Sequence, residues 1–369
     1  MSATSRRWYP VLALAALAAC LSCAALPAPA QIVTIRGAWM RPPEPVRSVG
    51  VQLDMMKRAG FNAIFLRVFY NGQTIFPSRV FPQHVAHHDT DAARIVLDAA
   101  HARGMRVYAA IDTLYWQAPG ARSPAVEAHP EWVELNAEGV RVGDDGTPGG
   151  AFVSPAVAQV WSALEQLVGE IGRNYDFDGI AFDYARFATG DFLGYNLTDR
   201  KAYLLKHRVD PIDIDPLGLA TSKRDRETMA TWQEQQITDL VAALASTFRR
   251  LRPEGVVAAV VVPDYYANRL NNPVRQDWRA WVQRGLVQVV IAGGTAYTGP
   301  EAAQRVRPVV GLRSAITAAG IVPDQDVTGL DVVNQIEMAR QAGLLSYVVW
   351  MPASRGPWRA VLRALGGFG

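Results

Sequence analysis

Residues 175–187 read Tyr-Asp-Phe-Asp-Gly-Ile-Ala-Phe-Asp-Tyr-Ala-Arg-Phe, and this stretch decides the fold class. Residues 178–187 predict a strand, because a short apolar run entered from an Asp-Gly turn is typical of a strand buried on both faces. Strand alternation places Ala181 and Asp183 on the same face. Asp183 is therefore expected at the carboxyl end of a strand in a parallel sheet.

Seven similar runs flank this strand, with segments of helical periodicity between them. They cover residues 35–40, 61–69, 105–112, 256–264, 287–294, 316–323 and 345–351. Eight strand–helix pairs predict an α/β protein folded as a (β/α)8 TIM barrel. An open doubly wound sheet is the alternative, but that fold usually has a glycine-rich turn after its first strand. Here the first strand leads into Trp39-Met40-Arg41-Pro42-Pro43 instead.

The predicted barrel is a single domain over residues 31–369, and two of its loops are long. The segments after the third and fourth strands cover residues 113–155 and 188–227. The strand-to-helix loops of a TIM barrel form its active-site face, and long loops in compact domains are usually functional. Surface decoration is the alternative interpretation for each loop taken singly.

The composition is that of a folded, nearly neutral protein. Of the 369 residues, 50% are hydrophobic and 19% are charged, which excludes a disordered chain. The net charge is only +3, which argues against a nucleic acid as partner, because nucleic acids bind clustered basic residues. Both cysteines, Cys20 and Cys23, lie near the N-terminus, so the remaining chain has no cysteine for a disulfide or a metal site.

The first 30 residues predict a signal peptide and an exported protein, either periplasmic or secreted. Arg6 and Arg7 precede an apolar run over residues 11–26, and Ala28-Pro29-Ala30 then fits cleavage before Gln31. A lipoprotein is the alternative, because Leu17-Ala18-Ala19-Cys20 resembles a lipobox. The protein is expected at a membrane only if Cys20 is lipidated.

Three carboxylates end neighbouring predicted strands and are the catalytic candidates. Asp112 ends the third strand, Asp183 the fourth and Asp264 the fifth. Strand alternation along residues 256–264 places Asp264 on the same face as Val260 and Val262, which predicts that it points toward the mouth of the barrel. Carboxylates crowded at one mouth shift one another's pKa values apart, which is what an acid/base pair needs. The alternative role for each aspartate is to cap a helix or brace a loop.

Aromatic residues follow the same strand ends and predict a sugar-binding cleft, because the apolar face of a pyranose packs on an aromatic ring. They are Trp39, Tyr70, Tyr115, Trp116, Tyr184, Tyr265, Tyr266, Tyr297 and Trp350. Of these, Trp39, Tyr115, Tyr184, Tyr297 and Trp350 are the predicted substrate-binding residues. Arg186 is expected to keep Asp183 ionised or to bind substrate hydroxyls, with a surface salt bridge as the alternative.

Histidines in the loop after the second strand raise the question of a metal site. His84, His87, His88 and Asp89 have spacings that zinc ligands use. Nothing in the pattern places them on a helix, and no histidine ends a third strand near them. A solvated loop is the favoured interpretation, so neither a metal nor another cofactor is expected.

Several stretches carry a resemblance to a known family: residues 36–39, residues 62–68 with Phe76-Pro77-Ser78, residues 100–105, residues 129–133 and residues 175–184. Together they resemble the glycosyl-hydrolase-like family 10 proteins, which are bacterial exported barrels. The resemblance implies a (β/α)8 fold and glycoside hydrolysis, with peptidoglycan glycan lacking stem peptides as one substrate. It also implies that Asp183 is the catalytic carboxylate and that Arg67 and Tyr184 lie near the sugar.

The leading hypothesis is an exported glycoside hydrolase that acts on a bacterial polysaccharide through paired carboxylates. A non-catalytic glycan-binding barrel is the alternative, because the residues after Asp183 depart from the family pattern. There Tyr184-Ala185-Arg186-Phe187 stands where the family often has a second aspartate and an aromatic-proline pair. A metal-dependent hydrolase that uses the histidine loop is a third hypothesis.

Overall fold

The computed structural model describes residues 34–218, 222–293, 299–310, 316–321, 329–351 and 355–366. Within these ranges, eight parallel strands form a barrel: β1 (Arg36–Met40), β2 (Ala63–Tyr70), β3 (Arg106–Asp112), β4 (Gly179–Asp183), β5 (Val256–Val261), β6 (Val289–Ala292), β7 (Ile316–Ile321) and β8 (Ser346–Trp350). Each strand pairs in parallel with the next, and β8 pairs with β1. This closure confirms the predicted (β/α)8 TIM barrel.

Helices lie between the strands and after the last one: α1 (Val49–Arg58), α2 (Ala92–His101), α3 (Pro124–Ala128), α4 (Ala158–Asn174), α5 (Leu197–His207), α6 (Lys223–Leu251), α7 (Trp278–Gln283), α8 (Gly299–Val310), α9 (Gly329–Gln341) and α10 (Arg355–Gly366). Several of these helices have a side chain that caps the first turn. The Asp91 carboxylate, for example, accepts a hydrogen bond from the Arg94 backbone N–H at 2.9 Å. In the described ranges, every helix is too short or too polar to cross a membrane.

β4 and β5 both end several residues earlier than the sequence predicts. β4 ends at Asp183 because Tyr184 has a φ of 48°, a left-handed conformation that interrupts a strand. β5 ends at Val261, shortly before Pro263, which has no backbone N–H to continue the ladder. The inward alternation predicted along the fifth strand therefore does not extend to Asp264.

A stack of aromatic rings fills one side of the barrel interior. Trp350 lies on Trp39 at 5.0 Å, Trp39 on Phe65 at 5.6 Å and Phe65 on Tyr108 at 4.6 Å, all between ring centroids. Glycine makes room for the rings, because a Cβ atom on Gly37 would lie 2.7 Å from a Phe65 ring carbon. The stack thus forms a rigid floor beneath the carboxyl end of the barrel.

The two long loops after the third and fourth strands are present as predicted, and they contact each other. The first contains α3 and a short antiparallel pair of strands, Tyr115–Gln117 with Ala151–Phe152. The second contains α5. Asn136 in the first loop donates to Asp191 in the second at 2.9 Å, which fixes one loop against the other.

A buried pair of carboxyl groups also joins these loops. The Ser154 hydroxyl donates to Asp199 Oδ2 at 2.6 Å, and the Gly194 backbone N–H donates to Glu134 Oε2 at 3.0 Å. The other oxygen of each carboxyl is buried without a hydrogen-bond partner in the described part of the chain. Burial raises the pKa of Asp199 to about 6. Burial and the charge of Asp199 raise the pKa of Glu134 well above its ordinary value.

Replacing Glu134 with glutamine should stabilise the protein at alkaline pH. In the unfolded chain these carboxyls ionise at about pH 4, whereas in the folded protein their pKa values are higher. The free energy of unfolding therefore falls as the pH rises from about 4 through the folded-state pKa values. Glutamine keeps an acceptor oxygen and removes one charge from the pair. We expect the melting temperature of Glu134→Gln at pH 8 to rise by about 2–4 °C for each kcal/mol of repulsion removed. The difference from the wild-type protein should shrink at pH 5, and an equal difference at both pH values would contradict this account.

Candidate active site

The parallel register brings three charged side chains together at the carboxyl end of the barrel. Asp112, the last residue of β3, is in register with Asp183, the last residue of β4. On β2, Arg67 is in register with Ala110, two residues before Asp112. All three point inward, because the residues two positions earlier on their strands belong to the side-chain cluster that fills the barrel.

Arg67 and Asp112 form a buried ion pair. Arg67 Nε donates to Asp112 Oδ1 at 2.8 Å, and the Arg67 Nη2 group donates to Asp112 Oδ2. Asp112 is only 1% exposed. Burial raises the pKa of Asp112, and the charge and hydrogen bonds of Arg67 oppose that rise. Burial lowers the pKa of Arg67, but Asp112 outweighs it, so the guanidinium pKa lies above its ordinary value.

Asp183 lies beside this pair, and no cation among the described residues forms an ion pair with it. Its side chain is buried, and its Oδ1 atom accepts a hydrogen bond from the Tyr184 backbone N–H at 2.9 Å. Burial and the charge of Asp112 raise the pKa of Asp183 to about 7, against the opposing effects of Arg67 and Arg186. A carboxyl group with this pKa exchanges its proton near neutral pH.

The left-handed conformation of Tyr184 places its ring beside Asp183. Left-handed backbone is uncommon outside glycine and clusters at functional sites. The loop after β3 holds this turn, because the Thr113 N–H donates to the Asp183 carbonyl at 2.8 Å and the Leu114 N–H to the Tyr184 carbonyl at 3.2 Å. The turn directs the chain away from the barrel axis directly after the candidate carboxyl.

A cavity of about 760 Å³ opens above Asp183. Its walls combine aromatic rings, cations and carboxyl groups, a mixture suited to a polar ligand with apolar faces. The connection from β1 to α1 forms one side of it, through residues such as Arg41 and Glu44. The lining consists of Trp39, Met40, Arg41, Pro42, Pro43, Glu44, Ser48, Val51, Gln52, Met55, Arg67, Tyr70, His84, Asp183, Tyr184, Trp350, Met351 and Arg359.

Four of the predicted substrate-binding residues line this cavity: Trp39, Arg67, Tyr184 and Trp350. Trp39 and Trp350 are neighbouring rings of the aromatic stack, so one end of the stack forms part of the cavity wall. Tyr70, which the sequence groups with these aromatics, also lines the cavity. Tyr297 lies outside the described residues.

Tyr115 and Arg186 lie outside the cavity lining, and their contact with substrate stays a prediction. Tyr115 is buried between Phe152, at 4.7 Å, and Tyr184, at 4.8 Å between ring centroids. Arg186 makes two hydrogen bonds to the Asp144 carboxylate, at 2.5 and 2.9 Å. Since Asp144 belongs to the loop after β3, Arg186 ties the two long loops together beside the site, and its guanidinium also lies over the Tyr184 ring at 4.8 Å.

Asp264 lies apart from Asp112 and Asp183. It is half-buried at the start of a short 3-10 turn, Tyr265–Asn268, and it is not part of the cavity lining. Its neighbours Tyr265 and Tyr266 donate their hydroxyls to Glu234 and Asp277, so their rings brace this loop. A catalytic role for Asp264 stays a prediction. Asp112 is not part of the cavity lining either, but the strand register places it beside Asp183.

The histidine loop contributes to the cavity wall. His84 lines the cavity, and its ring lies 5.4 Å from the Tyr70 ring. The His84 Nδ1 atom accepts a hydrogen bond from the Ala86 backbone N–H at 3.2 Å, while His88 pairs with Asp89 at the surface. Among the described residues, no group of three or more potential metal-ligating side chains comes together.

Arg41 is the lining residue that sequence reasoning missed. It follows β1 directly, two residues after Trp39, so the same alternation that placed Asp183 would have placed Arg41 at the barrel mouth. Gln52 and Met55, on α1, carry no comparable signal, because nothing in a helix sequence identifies which turn faces a cavity.

Two comparisons by sequence place these features among known proteins. A family model described as glycosyl hydrolase-like 10 matches residues 36–298. The chain is also 24% identical over 274 residues to glycosyl hydrolase DigH from Escherichia coli (strain K12). That match covers 65% of this chain and 55% of DigH, so the chain spans about half the length of the curated relatives it matches.

Solved structures show the same fold. The glycoside hydrolase domain of PgaB (BpsB) from Bordetella bronchiseptica matches with a TM-score of 0.64 at 15% identity, over 90% of this chain and 99% of that domain. Alpha-L-fucosidase isoenzyme 2 from Paenibacillus thiaminolyticus matches with a TM-score of 0.65 at 14% identity, over 90% of this chain and 48% of that protein.

Replacing Asp112 with asparagine should destabilise the fold far more than the same change at Asp183. The Asp112→Asn variant leaves the buried Arg67 guanidinium without its counter-ion, and removing one partner of a buried pair typically costs about 3–5 kcal/mol. Asp183→Asn instead removes a charge that burial already disfavours, so its free energy of unfolding at pH 8 should equal or exceed that of the wild-type protein. Urea unfolding measures both values, and equal losses in the two variants would refute the assigned pairing.

Proposed function

The chain belongs to the glycosyl hydrolase-like 10 family, and on that premise we propose that it is a glycoside hydrolase with Asp183 as its proton donor. One observation carries the proposal. A buried carboxyl group with a pKa of about 7 lines a cavity whose walls include four aromatic rings. General acid–base catalysis is most effective when the pKa of the catalytic group lies near the working pH.

The cavity lining supports a glycan as the substrate. The rings of Trp39, Tyr70, Tyr184 and Trp350 offer apolar faces on which a sugar ring can pack. Arg67 and Gln52 add hydrogen-bond donors for sugar hydroxyls. We propose a bacterial polysaccharide, with peptidoglycan glycan strands lacking stem peptides as the first candidate, on the strength of the family resemblance.

Hydrolysis of a glycosidic bond needs a second group besides the proton donor. Protonated Asp183 gives its proton to the glycosidic oxygen, which departs with the bonding electron pair. Water supplies the new hydroxyl on the sugar and gives its other proton to ionised Asp183 or to a second carboxylate. Asp112 is proposed to stabilise the positive charge that develops on the sugar ring, because it is in register with Asp183. It lies behind the cavity lining with both oxygens held by Arg67, so it acts through its charge and not as a nucleophile.

The Asp183→Asn variant should lose turnover and keep its fold. Asparagine retains the shape of the side chain and removes the transferable proton, and loss of general acid–base catalysis costs about 10²- to 10⁴-fold in rate. Product analysis by mass spectrometry after incubation with purified cell-wall glycan and a panel of polysaccharides measures the loss. In the wild-type enzyme, turnover should fall as the pH rises above 7. Asp183 has a pKa of about 7, so above that pH it is ionised and has no proton to donate.

Two matched variants make this experiment decisive. Asp264→Asn removes a carboxylate that is not in register with Asp183, so it should retain near wild-type turnover. Asp112→Asn removes the charge beside Asp183 and should lose turnover per folded molecule. An Asp183→Asn variant with normal turnover per folded molecule would disprove the assignment of the proton donor. Binding of a glycan without turnover of any polysaccharide would favour the glycan-binding alternative.

We also propose that the mature protein is exported and begins at Gln31, with residues 31–369 forming the barrel domain. The basic and apolar pattern of residues 1–30 supports this proposal. N-terminal sequencing of the protein from its native host should return Gln31 as the first residue. An acylated Cys20 at the mature N-terminus would instead make the protein a membrane-tethered lipoprotein and contradict the prediction.

A further inference from the structure

Arg41 places a positive charge in the wall of the cavity. Its guanidinium carbon lies 4.7 Å from the centre of the Tyr70 ring, so the cation packs on the ring face. Within the described part of the chain, no hydrogen bond or ion pair engages its N–H groups. These donors are therefore available to a molecule in the cavity.

Comparison with Arg67 shows which of the two cations is open to a ligand. Arg67 packs on the same Tyr70 ring at 5.2 Å, but its own charge is balanced by Asp112. Arg41 is exposed to solvent in the cavity wall, so a bound ligand displaces water from its charge. Glu44 lines the same wall but already has an interaction partner. An anion carried by the ligand would replace the displaced water as the partner of the guanidinium.

We propose that Arg41 is a specificity residue that binds a carboxylate carried by the sugar, an inference that rests on the proposed glycoside hydrolase function. A guanidinium presents parallel N–H groups that match the two oxygens of a carboxylate. Arg41 and Asp183 line one cavity, so a glycan bound for cleavage at Asp183 can bring a charged sugar to Arg41. The substrate class is therefore an acidic glycan, because an uncharged glycan of the same backbone displaces water from Arg41 without supplying an anion.

The carboxylate has two chemical sources, and paired oligosaccharides distinguish them. A tetrasaccharide of alternating N-acetylglucosamine and N-acetylmuramic acid carries it on a lactyl ether, and chitotetraose is the uncharged match. A β-1,4-linked tetraglucuronate carries it on the sugar ring itself, and cellotetraose is the uncharged match. Titration calorimetry with the full chain in the Asp183→Asn background measures binding without consuming the ligand.

Arg41→Gln should weaken binding of one charged tetrasaccharide by about 10- to 100-fold, the range expected for hydrogen bonds to a charged group. Binding of its uncharged match should change by no more than about twofold. Arg41→Lys keeps the charge but loses the paired donors, so it should recover only part of the affinity. Arg47→Gln, an exposed arginine outside the cavity lining, serves as the control and should leave both affinities unchanged.

The outcomes separate this inference from the proposed function. Equal weakening of charged and uncharged ligands, or no weakening of either, overturns the assignment of Arg41. Charge-dependent binding through Arg41 without hydrolysis of any glycan by the wild-type chain overturns the hydrolase and leaves Arg41 as a binding residue. Failure of all four oligosaccharides to bind overturns both.

Discussion

The buried ion pair between Arg67 and Asp112 is the interaction on which the rest of the site depends. Burying either charge alone would cost several kcal/mol, so each residue requires the other. The pair fixes β2 and β3 to each other at the mouth of the barrel. It also places a negative charge beside Asp183, and that charge, with burial, raises the pKa of Asp183 to about 7. The ion pair that holds Asp112 in place thus contributes to the raised pKa of Asp183.

The floor below this pair is as constrained as the pair itself. Rings from β8, β1, β2 and β3 stack across the barrel interior in the order Trp350, Trp39, Phe65 and Tyr108. Trp350 and Trp39 also line the cavity, so the surface offered to a sugar is part of the packed core. Such a surface is held in place before the ligand arrives, which lowers the entropy cost of binding.

The loops after β3 and β4 form one further unit of the site. Arg186 and Asp144 link them directly, and the buried carboxyls Glu134 and Asp199 approach each other between them. The loop after β3 also holds the left-handed turn at Tyr184, through the Thr113 and Leu114 N–H groups. Charged residues near the candidate carboxyl therefore serve two purposes, since Arg186 braces the loops while Arg41 remains available to a ligand.

The sequence alone determined the barrel, its strand order and the inward face of β4. The reason is that alternation and apolar runs are local properties, readable from residues such as Ala181 and Asp183. Only the tertiary structure decided which charged residues are partners. Arg186 looked like a neighbour of Asp183 because it lies three positions away, yet it bonds Asp144, 42 residues earlier in the chain. Asp112, Asp183 and Asp264 looked equivalent at three strand ends, but the proline after β5 ends that strand early and separates Asp264 from the others. Ion pairing and cavity shape depend on contacts between residues far apart in the chain, and periodicity carries no information about those contacts.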